Sequence, residues 1–354
     1  MKTIGVLTLL LFAAAPARAG AGGDALPFLK MDVGSRGAAL SGAYCAAGDD
    51  ALSVFYNPAG TALAEKKQIL LGHNEWLEEI RNETIAYLHP LGPRLTLFGG
   101  VNLLMSGSMR RYDAAGTDTG SFSALESAVS LGASAALLED FYGGAAVKVL
   151  SQEAAGKKAM AWAGDAGLLK LYGDWRIGAA VSNFGTGMKL GARRFDLPLM
   201  LRGGVSRTFL ENYTVSADAV KAGKSETAGA FGAEARLATA PKEYFFIRGG
   251  YKTGRSRYAG PGFTAGVGLA NRDFRIDYAF APYGDLGDSH RFTVSLSFGK
   301  PRPEWVRRPR YRDLPPTREE LQKKPARRAA PAAAPEKGKK KKIDRSKGTD
   351  YFMW

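Results

Sequence analysis

From Lys67 to Gly299, large apolar side chains recur at every second position in stretches of about ten residues, and turn-forming residues separate the stretches. Phe274, Ile276, Tyr278 and Phe280 alternate with Arg275, Asp277 and Ala279; Phe292, Val294, Leu296 and Phe298 alternate with Arg291, Thr293, Ser295 and Ser297. Successive side chains of a strand point to opposite faces, so a period of two describes a sheet whose faces meet different surroundings. Long helical periodicity is missing. The stretches fall near 67–76, 80–89, 94–103, 124–137, 141–151, 159–171, 174–184, 197–209, 211–221, 226–238, 243–253, 262–271, 273–282 and 288–299, fourteen in all. An even number of antiparallel strands of this length is the signature of a transmembrane β-barrel, although the count alone also fits an array of β-sandwiches.

The connections separate the two. One set is tight: His89 to Pro93, Glu139-Asp140, Tyr172 to Asp174, Glu211-Asn212, Ala240 to Lys242 and Asn271 to Asp273. The intervening set is mostly longer: Ser106 to Ser123, Gln152 to Lys158, Gly185 to Asp196, Gly254 to Pro261 and Tyr283 to Gly287, with Leu77 to Glu79 and Ala222 to Ser225 as short exceptions. Tight periplasmic turns alternating with longer external loops are what a barrel produces, and a sandwich has less reason to alternate. With Phe274, Tyr278, Phe292 and Phe298 outward, the alternation turns Lys148, Asp165, Arg202, Asp218, Glu234, Arg236, Arg275, Asp277 and Arg291 toward a polar lumen. Tyr142, Trp175, Tyr213, Tyr244 and Phe245 stand at strand starts, where an aromatic girdle is expected; ordinary packing would also use them.

The flanking segments differ in kind. Residues 1–19 have a Lys near the start, an apolar stretch from Ile4 to Ala15 and an Ala17-Arg18-Ala19 cleavage site, which reads as a secretory signal peptide. Residues 300–354 hold eighteen Lys and Arg against seven Asp and Glu, so the tail carries most of the +15 net charge. Its Pro- and Lys-rich composition cannot bury a core and reads as a disordered periplasmic tail. The last four residues, Tyr351, Phe352, Met353 and Trp354, are abruptly apolar, a candidate docking peptide or simply a frayed end. Cys45 is the only cysteine, so no intrachain disulfide forms.

Residues 20–66 are rich in Ala and Gly and read as one or two short helices, with Asp49 or Asp50 capping the second and Asn57-Pro58-Ala59-Gly60 forming a turn. This segment carries a resemblance. Phe28-Leu29-Lys30-Met31-Asp32-Val33-Gly34-Ser35-Arg36-Gly37-Ala38, Gly48-Asp49-Asp50-Ala51 and Tyr56-Asn57-Pro58-Ala59-Gly60 resemble the PorV/PorQ family, which belongs with the long-chain fatty-acid transporter barrels of the FadL type. The resemblance implies fourteen strands in residues 67–299 and a plug in residues 20–66 that sits inside the barrel, with Gly34, Arg36, Gly37, Asp49, Asp50, Asn57, Pro58, Ala59 and Gly60 as its motif. It also implies an outer-membrane protein, either a partner in type IX protein secretion or a channel for hydrophobic molecules. The longest external loop, Ser106 to Ser123, is polar, unlike the greasy helical loops of fatty-acid transporters.

Catalytic chemistry needs a convergent set of acids, bases, nucleophiles or metal ligands. His73, His89 and His290 are scattered over different strands without metal-binding spacing, so no enzyme, cofactor or metal site is expected. Gly99-Gly100, Gly143-Gly144, Gly203-Gly204 and Gly249-Gly250 recur within strands with no phosphate-loop context; they read as kinks in the wall or seats for the plug. The expectation is a non-enzymatic, monomeric barrel in the outer membrane of a Gram-negative-type bacterium. It would act first as a secretion adaptor whose loops or basic tail hold secreted or periplasmic proteins, and alternatively as a channel for a hydrophobic small-molecule ligand. Its surroundings are outer-membrane lipid; an exported chain does not meet nucleic acid.

Overall fold

The computed structural model describes residues 23–190, 193–254 and 261–303. The signal peptide expected at 1–19, the docking peptide Tyr351 to Trp354 and nearly all of the basic tail lie outside the described residues.

The chain forms β1 (Lys67–Glu75), β2 (Arg81–Leu91) and β3 (Leu95–Met105), followed by a small hairpin of β4 (Met109–Tyr112) and β5 (Asp118–Phe122). Next come β6 (Ala124–Leu138), β7 (Phe141–Ala154), β8 (Lys157–Tyr172) and β9 (Trp175–Gly185), then a second hairpin of β10 (Met188–Leu190) and β11 (Arg193–Phe195). The remainder is β12 (Met200–Phe209), β13 (Tyr213–Ala222), β14 (Ala228–Ala240), β15 (Glu243–Lys252), β16 (Phe263–Ala270), β17 (Phe274–Pro282) and β18 (Asp288–Phe298). Fourteen of these close into an antiparallel barrel in which β3 pairs with β6, β9 with β12, and β1 with β18. At the closing seam Lys67 lies opposite Phe298 and Glu75 opposite His290. Closure leaves no strand edge without a partner, the condition for a sheet to stand in hydrocarbon.

All fourteen expected strands are present, and two segments expected as loops are hairpins. β4 and β5 are exposed along almost their whole length, so they have no buried face to impose an apolar alternation. β10 and β11 are three residues each, too short for a period to register. At the tight-turn end the reversals are made by residues in the left-handed region, such as Gly92 (φ 63°) and Gly173 (φ 57°).

The faces follow the alternation. Leu71, Ile85, Leu97, Val147, Trp162, Ile177, Val215, Val267 and Phe292 are exposed on the outside, while Lys148, Asp165, Arg202, Asp218, Glu234, Asp277 and Arg291 are buried in the lumen. Arg236 shares the inward register but reaches the rim, where it donates to the Glu211 carbonyl and to Asn212. The aromatic girdle is only partly as expected. Trp175, Tyr213 and Phe245 are on the outward register, whereas Tyr142 packs inward on Ala46, Ala59 and Leu169, and Tyr244 lies under the Arg236 guanidinium. Position at a strand start was a good guide to height along the barrel; residue parity decides the face.

Candidate functional site

The N-terminal segment threads the lumen from the loop end to the tight-turn end. It enters where Ala25 N–H donates to the Asp196 carbonyl in the second loop and leaves into β1 at Lys67. Inside it forms a 3-10 turn (Pro27–Lys30), α1 (Ser35–Ala39), α2 (Ser53–Tyr56) and a second 3-10 turn (Pro58–Leu63). Its small residues let these short pieces pack backbone to wall, and almost everything from Ser35 to Ala64 is buried.

Asp49 and Asp50 do not cap α2; that helix begins after Leu52 with no side-chain cap. Asp50 Oδ1 instead accepts from Leu52 N–H (3.0 Å), and both carboxylates turn toward Arg36. Asn57 caps the 3-10 turn, its Oδ1 accepting from Ala59 N–H (3.1 Å), and Pro58 fills the first position, where a missing N–H costs nothing. The Asn57 amide also donates to the carbonyls of Cys45 (2.8 Å) and of Leu168 on β8 (3.0 Å), which ties two plug turns to the wall. Gly34 adopts φ 68° against Leu52, and Gly37 lies against the Tyr56 hydroxyl. Gly60 is seated on the Gly48 carbonyl, where a Cβ would come within 2.6 Å. The motif residues thus converge in one packed unit.

Arg36 is its electrostatic centre. It donates to both carboxylate oxygens of Glu234 on β14 (3.0 and 2.9 Å), to Asp49 (2.7 Å) and to Asp50 (3.0 Å). Arg248 on β15 pairs with Glu234 (2.6 Å) and Asp277 (2.9 Å), Arg275 with Asp277 (2.8 Å), and Arg176 on β9 with Asp49 (3.1 Å). Four guanidiniums therefore meet four carboxylates, a neutral sum that a buried site requires. Weaker straps surround this latch: Lys252 to Asp32 (2.8 Å), Ser35 to Thr293 (2.9 Å), Ser41 to Thr264 (2.8 Å), and Asp218 accepting from the N–H groups of Tyr44 and Cys45 (2.9 and 2.8 Å).

The wall is cut to admit the plug. In each of the four glycine pairs the second member faces inward, and in three of them a Cβ would strike plug backbone or side chain: at Gly100 it meets Val54 (2.8 Å), at Gly144 the Pro58 backbone (2.6 Å), at Gly250 the Leu40 backbone (2.5 Å). At Gly204 it would meet Asp218 and approach Cys45 (3.1 Å). Single glycines the sequence did not single out do the same, Gly178 against the Cys45 carbonyl (2.5 Å) and Gly266 against Ala39 (2.5 Å). These are seats rather than kinks.

Cys45 lies at the centre of this contact, 1% exposed. A membrane-impermeant maleimide is expected to leave it unmodified in the native protein and to label it fully in denaturant; fast native labelling would show that the plug is not seated.

The loop half of the lumen is different in character. Leu104, Ala128, Leu150, Ala159, Ala161 and Ala163 face inward from β3, β6, β7 and β8 and form an apolar compartment. Leu26, Phe28, Leu29 and Met31 of the plug fill it, and Met188, Phe195 and Leu197 close it from the second loop. The compartment is centred on Phe28, at the opposite end of the plug from Asn57. Met188 was missed because it stands in a loop without period. His73, His89 and His290 remain apart, each beside a different outward partner (Glu83, Tyr87 and Tyr278), and no His, Cys, Asp and Glu cluster suited to a metal occurs among the described residues.

No protein-family model and no curated protein matches the chain. Solved structures do. The Ralstonia pickettii toluene transporter TbuX is 16% identical with a TM-score of 0.55, over 77% of this chain and 98% of that one. The CymD monoaromatic hydrocarbon channel is 12% identical (TM-score 0.55, 75% and 97%), and a Pseudomonas aeruginosa FadL homologue 11% identical (TM-score 0.51, 75% and 98%). At such identity the likeness is one of fold. It supports the FadL-type part of the resemblance seen in the sequence and lends nothing to the PorV/PorQ part, so this chain has the plugged fourteen-strand barrel fold of FadL-type outer-membrane proteins.

Proposed function

We propose that the protein is a plugged outer-membrane channel for small hydrophobic molecules. The observation that carries this reading is the apolar compartment at the loop end of the lumen, set apart from the ion pairs around Arg36. Leu104 and Leu150 of the wall and Met188 of the second hairpin line it, a surface complementary to an apolar solute. Leu26 and Phe28 stand where an apolar solute would sit, and displacement of the Pro27–Lys30 turn would open the site. The names of the fold neighbours, a toluene transporter and a monoaromatic hydrocarbon channel, support the same substrate class. The protein-secretion role expected first from the sequence draws no support from these neighbours.

The test is uptake of radiolabelled toluene and of oleate by cells that depend on this protein, with Leu150→Asn and Met188→Asn as variants. A polar amide placed in the compartment loses the transfer energy of the apolar side chain and adds its own desolvation, so at least a tenfold fall in uptake is expected at unchanged protein level. Wild-type rates in both variants, or crosslinked secreted proteins with no uptake at all, would return the reading to secretion.

A further inference from the structure

The outer face of the barrel is not smooth. Between β12 and β15 it carries a hollow of about 500 Å³, floored by Ala217, Ala233 and Gly249 and walled by Val205, Val215, Phe231 and Tyr251. These residues alternate outward with the plug seats: Gly232 and Gly250, next to the floor, are covered from within by Leu40. The hollow therefore opens to the outside, and its size falls within the roughly 300–1,000 Å³ of pockets that hold a ligand-sized molecule.

Arg207 stands at one edge of this hollow, with Trp175 beside it. It is on the outward register of β12, three residues before the Leu210 to Asn212 turn. At about 3.4 Å per residue this places it within roughly 10 Å of the tight-turn end. The guanidinium lies over the rings of Trp175 (5.1 Å) and Phe209 (4.6 Å), which fix its plane and shield it. Its Nε has no acceptor, and among the described residues no carboxylate pairs with it. An outward cation held flat beside an apolar hollow is complementary to a molecule with a phosphate at one end and hydrocarbon at the other.

We infer that this hollow is a binding site for one anionic glycerophospholipid, its phosphate on Arg207 and its acyl chains over Ala217, Ala233 and Gly249. The inference rests on the membrane reading above, in which the tight-turn end faces the periplasm and hence the phospholipid leaflet. Guanidinium and phosphate match as a two-pronged donor and acceptor, and the small floor residues leave room for a chain that bulkier ones would exclude.

The test is native mass spectrometry of the full chain in a non-ionic detergent, titrated with dioleoyl phosphatidylglycerol and separately with dioleoylglycerol, which has the same chains and no phosphate. Wild type is expected to retain phosphatidylglycerol at least tenfold better than dioleoylglycerol. Arg207→Gln should lose most of that preference, and Ala233→Leu, which grows out of the floor, should weaken both lipids. Wild-type phosphatidylglycerol occupancy in Arg207→Gln would overturn the site. So would a dimer peak abolished by Ala233→Leu at unchanged lipid occupancy, which would give the hollow to a second copy. Flotation with preformed vesicles is scored on the same proteins: failure of wild type to insert overturns the membrane reading, while insertion without lipid retention overturns the lipid site alone.

Discussion

Replacing Arg36 with Ala is expected to unlatch the plug while leaving the barrel closed. The substitution removes the bidentate bond to Glu234 and the bonds to Asp49 and Asp50, and it leaves the latter two short of a buried counter-charge. Breaking a buried pair from one side costs about 3–5 kcal/mol, and the lower figure applies here because Glu234 keeps Arg248 and Asp49 keeps Arg176. At about 1.4 kcal/mol per factor of ten, the lower figure already raises the unlatched fraction more than a hundredfold. Labelling of Cys45 reads that fraction, since the thiol is reached only when the plug leaves Asp218 and the Gly178 and Gly204 seats. Labelling at the wild-type rate would show that the latch contributes nothing to seating. The Arg36→Ala/Glu234→Ala double variant should lose less than the sum of its parts, because the two residues share one bond.

The second large effect is expected from a single methyl group. Gly250→Ala places a Cβ 2.5 Å from the Leu40 backbone carbon and 2.6 Å from the Ser41 nitrogen. Backbone cannot swing aside as a flexible side chain does, so the plug must rise off β15 or the strand must bow. Overpacking of this kind costs about 1–3 kcal/mol. Gly249→Ala, one residue away on the outward register, has no neighbour nearer than the Thr264 carbonyl at 4.0 Å and should behave as wild type. The measurement is limited proteolysis within residues 23–66 together with the temperature at which the folded barrel band disappears on electrophoresis. Equal behaviour of the two variants would refute the assignment of Gly250 as a seat.

That contrast also shows what could be read from the sequence. Strand positions were legible because the two sides of the wall meet unlike surroundings, which stamps a period of two on residues such as Phe274 to Phe280. The glycine pairs were visible as an anomaly in those strands, and seats were one of two readings; the choice between them needed the plug's path. The latch was out of reach. Arg36 and Glu234 are 198 residues apart, and their meeting depends on the register of a closed sheet and on how far the plug descends. Tyr142 and Tyr244 were assigned to the wrong side because height along a strand was inferred without parity. Met188 and Leu197 carried no signal, since a loop that folds back into a lumen has no repeating pattern to betray it.

The seam between β1 and β18 sets an order of events during biogenesis. β1 directly follows the plug and β18 is the last strand of the barrel, so the cylinder cannot shut until the whole wall has been delivered. Ser35 spans that interval: its hydroxyl and amide meet Thr293 on the final strand, 258 residues later. The plug, synthesised first, must therefore wait inside an open sheet, and a cylinder that zips early shuts it out. Contacts of such long separation form late and slowly. Assembly is thus a race between threading and closure, and whatever holds the nascent sheet open governs how many molecules finish with their plug inside.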